Sequence, residues 1–545
     1  MRLVVDLTKC QGYGQCAFLA PDVFRMDGEE ALHYHGDPPD AERERILRAA
    51  AACPVQAIQL DRPGASNGRA APPGANGAVA DGSFLRTGRV VIVGASLAGL
   101  RAAEALRSEG FAGSLTMIGD ESREPYDRPP LSKQVLTGLE SPDDTALPRL
   151  RSIDAEWRLG VPASGLDLAG KRVLLADGGS VPFDHVLIAT GVRARAWPNP
   201  AEAALDGVFS IRVPADGAGL RAALASGPRR VLVIGAGFAG SEVASVCREL
   251  GIPVTVAEAG PAPLAGALGG VIGSIAAGIQ REHGVDLRCG VKVSALDGDA
   301  NGRLRRAHLS DGTVLDVDVA VAALGGIRNV EWLAGSGLAA GFWGVACDAG
   351  CRAFDVNGLV TDDVFVAGDV ARAPHPLFAY EFLALEHWGN AVGQAEVAAH
   401  NMVHAETARW PHLAVPEFWS TQFGHNIKSV GVPGFADEVA IVQGSVEERR
   451  FVAAYGRRGR VVAAVSVDQA MWLDFYKDLI EDAGAFPPTY TMAGAATPIR
   501  VMPAEFPDQA VPSHDATVVV TGHDPSERRA RYVARRSLRQ PTATR

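Results

Sequence analysis

Val231-Leu-Val-Ile234-Gly235-Ala-Gly237-Phe238-Ala239-Gly240, with Glu258 eighteen residues further on, decides the fold of this 545-residue chain. The unbroken apolar run reads as a parallel strand buried on both faces. The glycine turn after it opens a helix whose N-terminus can receive a pyrophosphate. Glu258 ends the next strand, Val254-Thr-Val-Ala257, where a carboxylate accepts from a ribose 2′-OH and repels a 2′-phosphate. Ala259-Gly260-Pro261 brings no arginine to rescue such a phosphate, so NADH is expected over NADPH. Upstream, Val90-Val-Ile-Val93 leads into Gly94-Ala95-Ser96-Leu97-Ala98-Gly99, a weaker copy in which Ser96 replaces the second glycine. Its matching acid for an adenosine ribose is Asp120 or Glu121. Two such starts imply two dinucleotide-binding units.

Composition narrows the class. Hydrophobic residues make up 47% and charged residues 21%, which suits a large core and excludes disordered, collagen-like and small disulfide-stapled chains. With 52 basic against 63 acidic residues, the net charge of −11 argues against a nucleic-acid partner. The N-terminus lacks the basic-then-apolar layout of a signal peptide. Ala259 to Gln280 carries no charge and is nominally long enough to span a bilayer, but Pro261, Pro263 and six glycines favour a buried loop and helix. A soluble, cytoplasmic protein with no membrane partner is expected.

Along the chain, residues 1–62 form a first compact unit. Residues 63–87 read as a flexible linker, long enough for that unit to dock on the rest and also swing away without a tight interface. The first dinucleotide unit takes residues 88–205 and 326–405, and the second takes 206–325. After Trp410, alternating strands such as Val439-Ala-Ile-Val442 and a helix from Asp468 mark a C-terminal domain over 406–485. Residues 486–545 are Pro-rich and loop-like, ending in a basic tail from Arg528 to Arg545 suited to an acidic partner or an intersubunit contact.

Seven cysteines, an odd number with no secretion signal, do not suggest a disulfide framework. Three crowd the first unit as Cys10-x5-Cys16 and Cys53-Pro54. Bacterial ferredoxins place cysteines at C-x2-C-x2-C with a remote Cys-Pro, so that a tight loop wraps an iron–sulfur cluster. Here Tyr13 takes the middle position. Three thiolates point to a 3Fe-4S cluster, with a 4Fe-4S cluster and a non-cysteine fourth ligand as the alternative. Cys247 and Cys289 read as core residues, and Cys347 and Cys351 as structural ones. The stretches Val4-Val-Asp-Leu-Thr-Lys-Cys10, Ala20-Pro-Asp-Val-Phe24 and Ala50-Ala-Ala-Cys53-Pro54 resemble the single-cluster ferredoxins that feed haem monooxygenases.

Glu124-Pro-Tyr-Asp-Arg128-Pro-Pro-Leu-Ser132-Lys133, Ala189-Thr-Gly191 and Val366-Ala-Gly368-Asp369 carry a second resemblance, to the oxygenase-coupled NADH:ferredoxin reductases. It implies an α/β fold of two interleaved Rossmann-like domains, for FAD and NAD, preceded by a small α+β ferredoxin domain and followed by an α+β C-terminal domain. It implies that Arg128 and Lys133 contact FAD, that Asp369 holds the ribityl chain, and that Arg195 and Ala163 lie at the adenine end. Gly325 joins the same cofactor-binding set. Glu386-His387-Trp388 matches a helix start beside the flavin pyrimidine, where a positive helix end favours the charge of reduced flavin. Trp419 matches a tryptophan close to the isoalloxazine. Glu242, alone a solvated residue on a first helical turn, is implied to pair with Lys133 beside flavin N5 as the catalytic pair. No cysteine lies between Cys53 and Cys247, which excludes the dithiol chemistry of disulfide-reductase relatives.

The expected activity is that of an FAD-dependent NADH:ferredoxin oxidoreductase fused to its own ferredoxin. Hydride passes from NADH to FAD, then single electrons to the cluster and on to an external acceptor, a haem monooxygenase or another oxygenase. The alternative is a non-enzymatic NADH-binding redox sensor resembling apoptosis-inducing factor. A third reading keeps the enzyme and reverses the electron flow. A homodimer is left open.

Overall fold

A computed structural model describes residues 1–28, 30–61 and 82–488, together with the strands Arg500–Val501, Ala516–Thr521 and Arg529–Ala534. Both apolar runs become parallel strands buried in the middle of a sheet. The first sheet has the order Arg352–Phe354, Val360–Val366, His185–Ile188, Arg89–Val93, Ser114–Gly119, Glu156–Leu159. All its pairings are parallel except that of Arg352–Phe354. The second sheet, Val208–Phe209, Val319–Ala322, Val231–Ile234, Val254–Glu258, Asp286–Cys289, is parallel throughout. The second is inserted between strands of the first, so the two units interleave.

The glycines of both turns have a steric reason. A Cβ on Gly99 or Gly240 would stand 2.0 Å from the carbonyl oxygen of Gly94 or Gly235, so only glycine lets the helix start that close to the strand. The helix Leu97–Ser108 then packs against Trp388–Val403, whose first turn faces the same side of the sheet edge. A six-stranded antiparallel sheet from Glu417–Gln422 to Arg500–Val501, backed by the helix Leu473–Glu481, closes the C-terminal side. The buried Tyr455 hydroxyl donates to the Leu268 carbonyl at 2.6 Å and ties this sheet to the helix Ala265–Glu282. That helix holds most of the uncharged stretch and breaks at Gly269. Among the described residues no helix is long and apolar enough to cross a membrane.

Two expectations need correction. The stretch read as linker up to residue 87 includes the helix Gly82–Thr87, because Phe84 anchors it on Phe111 and His185 at ring distances of 5.4 and 4.7 Å. Residues 62–81 lie outside the described residues. The region after Phe486 is not loop throughout: Arg500–Val501 joins the C-terminal sheet, and Ala516–Thr521 pairs with Arg529–Ala534. The rest of the basic tail lies outside the described residues.

The N-terminal unit pairs Leu3–Val5 with Ile58–Leu60 and Phe24–Asp27 with Ala31–Tyr34, and adds the helices Gln15–Leu19 and Arg43–Ala52. It is docked on the reductase body through a shared hydrophobic core that runs from Val4, Phe24 and Ile46 to Leu100, Phe111 and Ala395. Around that core Arg2 pairs with Glu124 at 2.9 Å, Arg101 donates to Gln59 at 3.0 Å, and the Gly36 N–H donates to Glu140 at 3.1 Å. An interface this apolar is not the loose encounter that a tether alone suggests.

Candidate functional site

A cavity of about 660 Å³ opens where the glycine turn after Arg89–Val93, the loop 126–133, the turn after Val231–Ile234 and the start of Trp388–Val403 meet. It brings together Gly94 to Ala98, Asp120, Glu121, Arg128, Lys133, Ala163, Phe238, Ala239, Glu242, Asp369, Glu386, His387, Trp388 and Trp419. Gly94, at φ +119°, would drive a Cβ to 2.1 Å from the Ala189 carbonyl. This turn is shaped to leave backbone room for a phosphate group.

Lys133 and Glu242 meet in the cavity wall. Lys133 Nζ lies 2.7 Å from Glu242 Oε2 and both residues are buried. The Ser132 and Ser420 hydroxyls also donate to that carboxylate, at 2.6 and 2.7 Å. Neither serine is marked by the sequence as a partner. Ser132 stands beside Lys133 in the loop, but Ser420 arrives from the C-terminal sheet, 178 residues away.

Other members hold one another in place. Arg128 donates to the Tyr126 hydroxyl at 2.7 Å and to Glu121 at 3.1 Å. Asp369 accepts from Arg212 at 3.0 Å, and Glu386 pairs with Arg328 at 3.1 Å. Burial, reinforced by the charge of Asp369, raises the Glu386 carboxyl. Burial pushes His387 down to about 4, so the ring is neutral, and its Nδ1 is buried without a partner among the described residues. Trp388 Nε1 donates to Asp127 at 3.0 Å, and burial raises Asp127 to about 6. The other Asp127 oxygen accepts from Tyr34 of the N-terminal unit at 3.3 Å.

Beside the cavity, Glu258 accepts from the N–H groups of Ala236 and Gly260, each at 2.6 Å. Its carboxylate is thereby fixed against the turn that holds Gly235, Gly237 and Gly240. Sequence distance hides Arg281, which hydrogen-bonds Cys289, the cross-strand neighbour of Glu258.

In the N-terminal unit Cys10, Cys16 and Cys53 are free and partly buried. Burial, then the charges of Cys10 and Cys53, push the Cys16 thiol up to about 11, which places Cys16 near both other cysteines. Cys53 Sγ accepts from the Ala57 N–H at 3.3 Å. Tyr13 is 51% exposed and its hydroxyl donates to Gln11. Three convergent thiols with one N–H donor fit an iron–sulfur cluster.

Residues 88–395 match the pyridine nucleotide-disulphide oxidoreductase family. The chain belongs to it. Residues 5–60 match the 4Fe-4S single cluster domain of Ferredoxin I, and residues 417–502 match the reductase C-terminal family. Rhodocoxin reductase of Rhodococcus erythropolis is 36% identical over 366 residues, 66% of this chain and 82% of that protein. The anthranilate 1,2-dioxygenase system ferredoxin–NAD(+) reductase component of Burkholderia cepacia is 34% identical over 412 residues, 74% of this chain and 96% of that protein. Human apoptosis-inducing factor 3 is 30% identical over 467 residues, 84% of this chain and 72% of that protein. Among solved structures, the covalent putidaredoxin reductase–putidaredoxin complex matches with a TM-score of 0.67 at 27% identity, covering 73% of this chain and 94% of that one.

Family membership makes this an FAD-dependent oxidoreductase carrying a ferredoxin-type domain, and the cavity fits the flavin: a glycine turn, a helix start and an unpartnered buried imidazole nitrogen line it. Among the described residues no cysteine lines it. Seven expected members do not line the cavity: Gly99, Gly235, Gly237, Gly240 and Glu258 lie in or beside the two glycine turns, and Arg195 and Gly325 stand apart. Arg195 does not line the cavity; its N–H donates to the Gly325 carbonyl at 2.9 Å and both sit on the crossing between the units, while Arg193 reaches the wall instead. Cys247, Cys347 and Cys351 are buried, whereas Cys289 is only partly so.

Glu109, His400 and His404 are the described residues whose donor atoms gather closely enough for a single ion. The two imidazoles stack at 3.8 Å with planes 15° apart, so their in-plane lone pairs cannot meet at one metal. They form a hydrogen-bonded helix end: His400 Nε2 donates to the Ala408 carbonyl, its Nδ1 lies 3.2 Å from Glu109, and His404 Nδ1 donates to the His400 carbonyl.

Proposed function

We propose that the chain oxidises NADH and passes its electrons, one at a time, through its own ferredoxin domain to an external oxygenase, with a haem monooxygenase as the first candidate. The observation that carries this is the docked N-terminal unit: Cys10, Cys16 and Cys53 pack against the same core as Trp388 and Trp419 of the cavity wall. A sensor needs no such exit. The naming of several relatives as ferredoxin–NAD(+) reductase components of dioxygenase systems supports the same reading.

Bound FAD supplies hydride acceptance and release of single electrons. The protein's part is positioning and charge. Gly94 to Gly99 and the following helix end offer N–H groups to a pyrophosphate. Asp369 and Arg212, with Glu121, Arg128 and Tyr126, fix the polar rim. Glu258 selects a free ribose 2′-OH. Lys133, held by Glu242, provides a fixed positive charge in a wall that excludes water. Cys10, Cys16 and Cys53 hold the cluster, which we assign as 3Fe-4S because Tyr13 faces solvent where a fourth thiolate would stand, although the matched family is described as 4Fe-4S. The division into residues 1–62, a linker, two interleaved nucleotide domains and a C-terminal domain belongs to this proposal.

The experiment is anaerobic mixing with NADH while flavin and cluster absorbance are followed separately, then addition of candidate acceptors. Flavin bleaching followed by cluster bleaching and acceptor reduction is expected. Reduced flavin that persists beside an oxidised cluster would favour the sensor.

A further inference from the structure

Lys428 lies on the strand His425–Gly431, across from Trp419 on one side and Ser466 on the other, and it is 4% exposed. Its ammonium donates to the main-chain carbonyl of Cys10. Among the described residues no carboxylate stands within ion-pair distance of it. Glu417 is taken by Lys477 at 2.6 Å and Asp6 lies 3.6 Å from Lys9, while Glu30 accepts the Ala470 N–H at 3.1 and 3.2 Å. A buried ammonium is costly unless something compensates it. What it touches is the loop that carries the first thiolate. Thr8 of that loop stands against Gly389 of the helix Trp388–Val403, and the neighbouring hairpin turn is held close as well, since a Cβ on Gly28 would reach 2.2 Å from the Gly424 carbonyl.

We propose that Lys428 is a positioning residue for electron entry into the ferredoxin domain, clamping the Cys10 loop onto the strand beside Trp419 and serving as the fixed counter-charge of the cluster. This rests on the ferredoxin-reductase reading. In that transfer one electron passes from flavin to cluster, no bond forms or breaks, and the loop gains one negative charge. A fixed cation at the Cys10 carbonyl therefore favours the reduced form, and more so in a site shielded from water.

Lys428→Met keeps the apolar stem and removes charge and donor; Lys428→Gln keeps a donor without charge; Lys428→Arg keeps both. Each is studied in the full chain loaded with FAD and cluster. Lys428→Met and Lys428→Gln should lower the cluster's midpoint potential in a dye titration and slow cluster bleaching about tenfold or more. Lys428→Arg should retain most of the parental values. Flavin bleaching by NADH should be unchanged in all three. Amide exchange of residues 3–28 should rise in Lys428→Met. If Lys428→Met loses its cluster, Lys428→Gln decides. A parental potential together with a parental cluster-bleaching rate in Lys428→Gln overturns the assignment. Failure of the parent chain to bleach its cluster with NADH would instead bring down the reductase reading beneath it.

Discussion

Three donors converge on Glu242: Lys133 Nζ and the hydroxyls of Ser132 and Ser420. Removing Lys133 therefore leaves a carboxylate that still has two donors, and the main loss is the positive charge that favours anionic reduced flavin. Lys133→Ala should slow flavin bleaching by NADH by about 2–3 kcal/mol, on the scale of one lost preorganised donor. Glu242→Ala frees a lysine that can still approach the cavity and should cost less. The double variant should fall short of the sum, because both changes destroy one pair. Stopped-flow bleaching on the three variants measures this; a Lys133→Ala protein that keeps its FAD and bleaches at the parental rate would assign Lys133 to cofactor placement alone. Glu258 leads to a second prediction. Its carboxylate is pinned by two N–H groups and would face a 2′-phosphate. NADH should be preferred by about tenfold in kcat/KM, toward the lower end for one charged hydrogen bond. Glu258→Ala should narrow the ratio, and equal efficiencies in the parent would remove the argument.

Between elements, the hairpin turn of the ferredoxin domain comes close to the reductase body at Gly28. Gly28 has φ +65° and its missing Cβ is what lets Gly424 approach. Gly28→Val should lift the hairpin, slow cluster bleaching severalfold and leave NADH–ferricyanide turnover intact; parental cluster bleaching would show that this contact does not set the docked distance. Nothing in the sequence pairs Gly28 with Gly424, since they are joined only by docking. The same limit explains what was and was not legible. Local patterns carried the two nucleotide strands, the glycine turns and the three cysteines, because each signal is confined to a few neighbouring residues. Lys133 and Glu242 were paired through family resemblance, whereas Ser420, Arg212 and Lys428 reach their places through other elements and carry no local mark. The helix Gly82–Thr87 was hidden by its glycine-rich approach, and its anchor on Phe111 and His185 is tertiary.

At the scale of the whole molecule, docking buries acids. Glu140 is 2% exposed, accepts the Gly36 N–H through one oxygen and has no partner for the other among the described residues. Burial, then the charges of Asp127 and Asp144, raises its carboxyl from 4.5 to about 8. Asp127, hydrogen-bonded to Trp388 and Tyr34, is raised from 3.8 to about 6, mainly by burial. Both acids hold their protons more tightly in the docked fold than in the unfolded chain. Their linked stability is thus complete below the unfolded values, near pH 4, and is lost as pH rises through the folded ones. Asp127 is half-titrated at about pH 6 and nearly finished by about pH 7, so most of the change from pH 6 to 8 belongs to Glu140. There the folded chain retains one proton that the unfolded chain has released, and stability should fall by roughly 2 kcal/mol across the two units. Glu140→Gln keeps the shape and the acceptor for Gly36 but cannot titrate. Urea midpoints followed by tryptophan fluorescence should fall between pH 6 and 8 in the parent and stay nearly level in Glu140→Gln. Parallel curves for the two proteins would mean that Glu140 is already ionised in the docked state, with water reaching it through the interface.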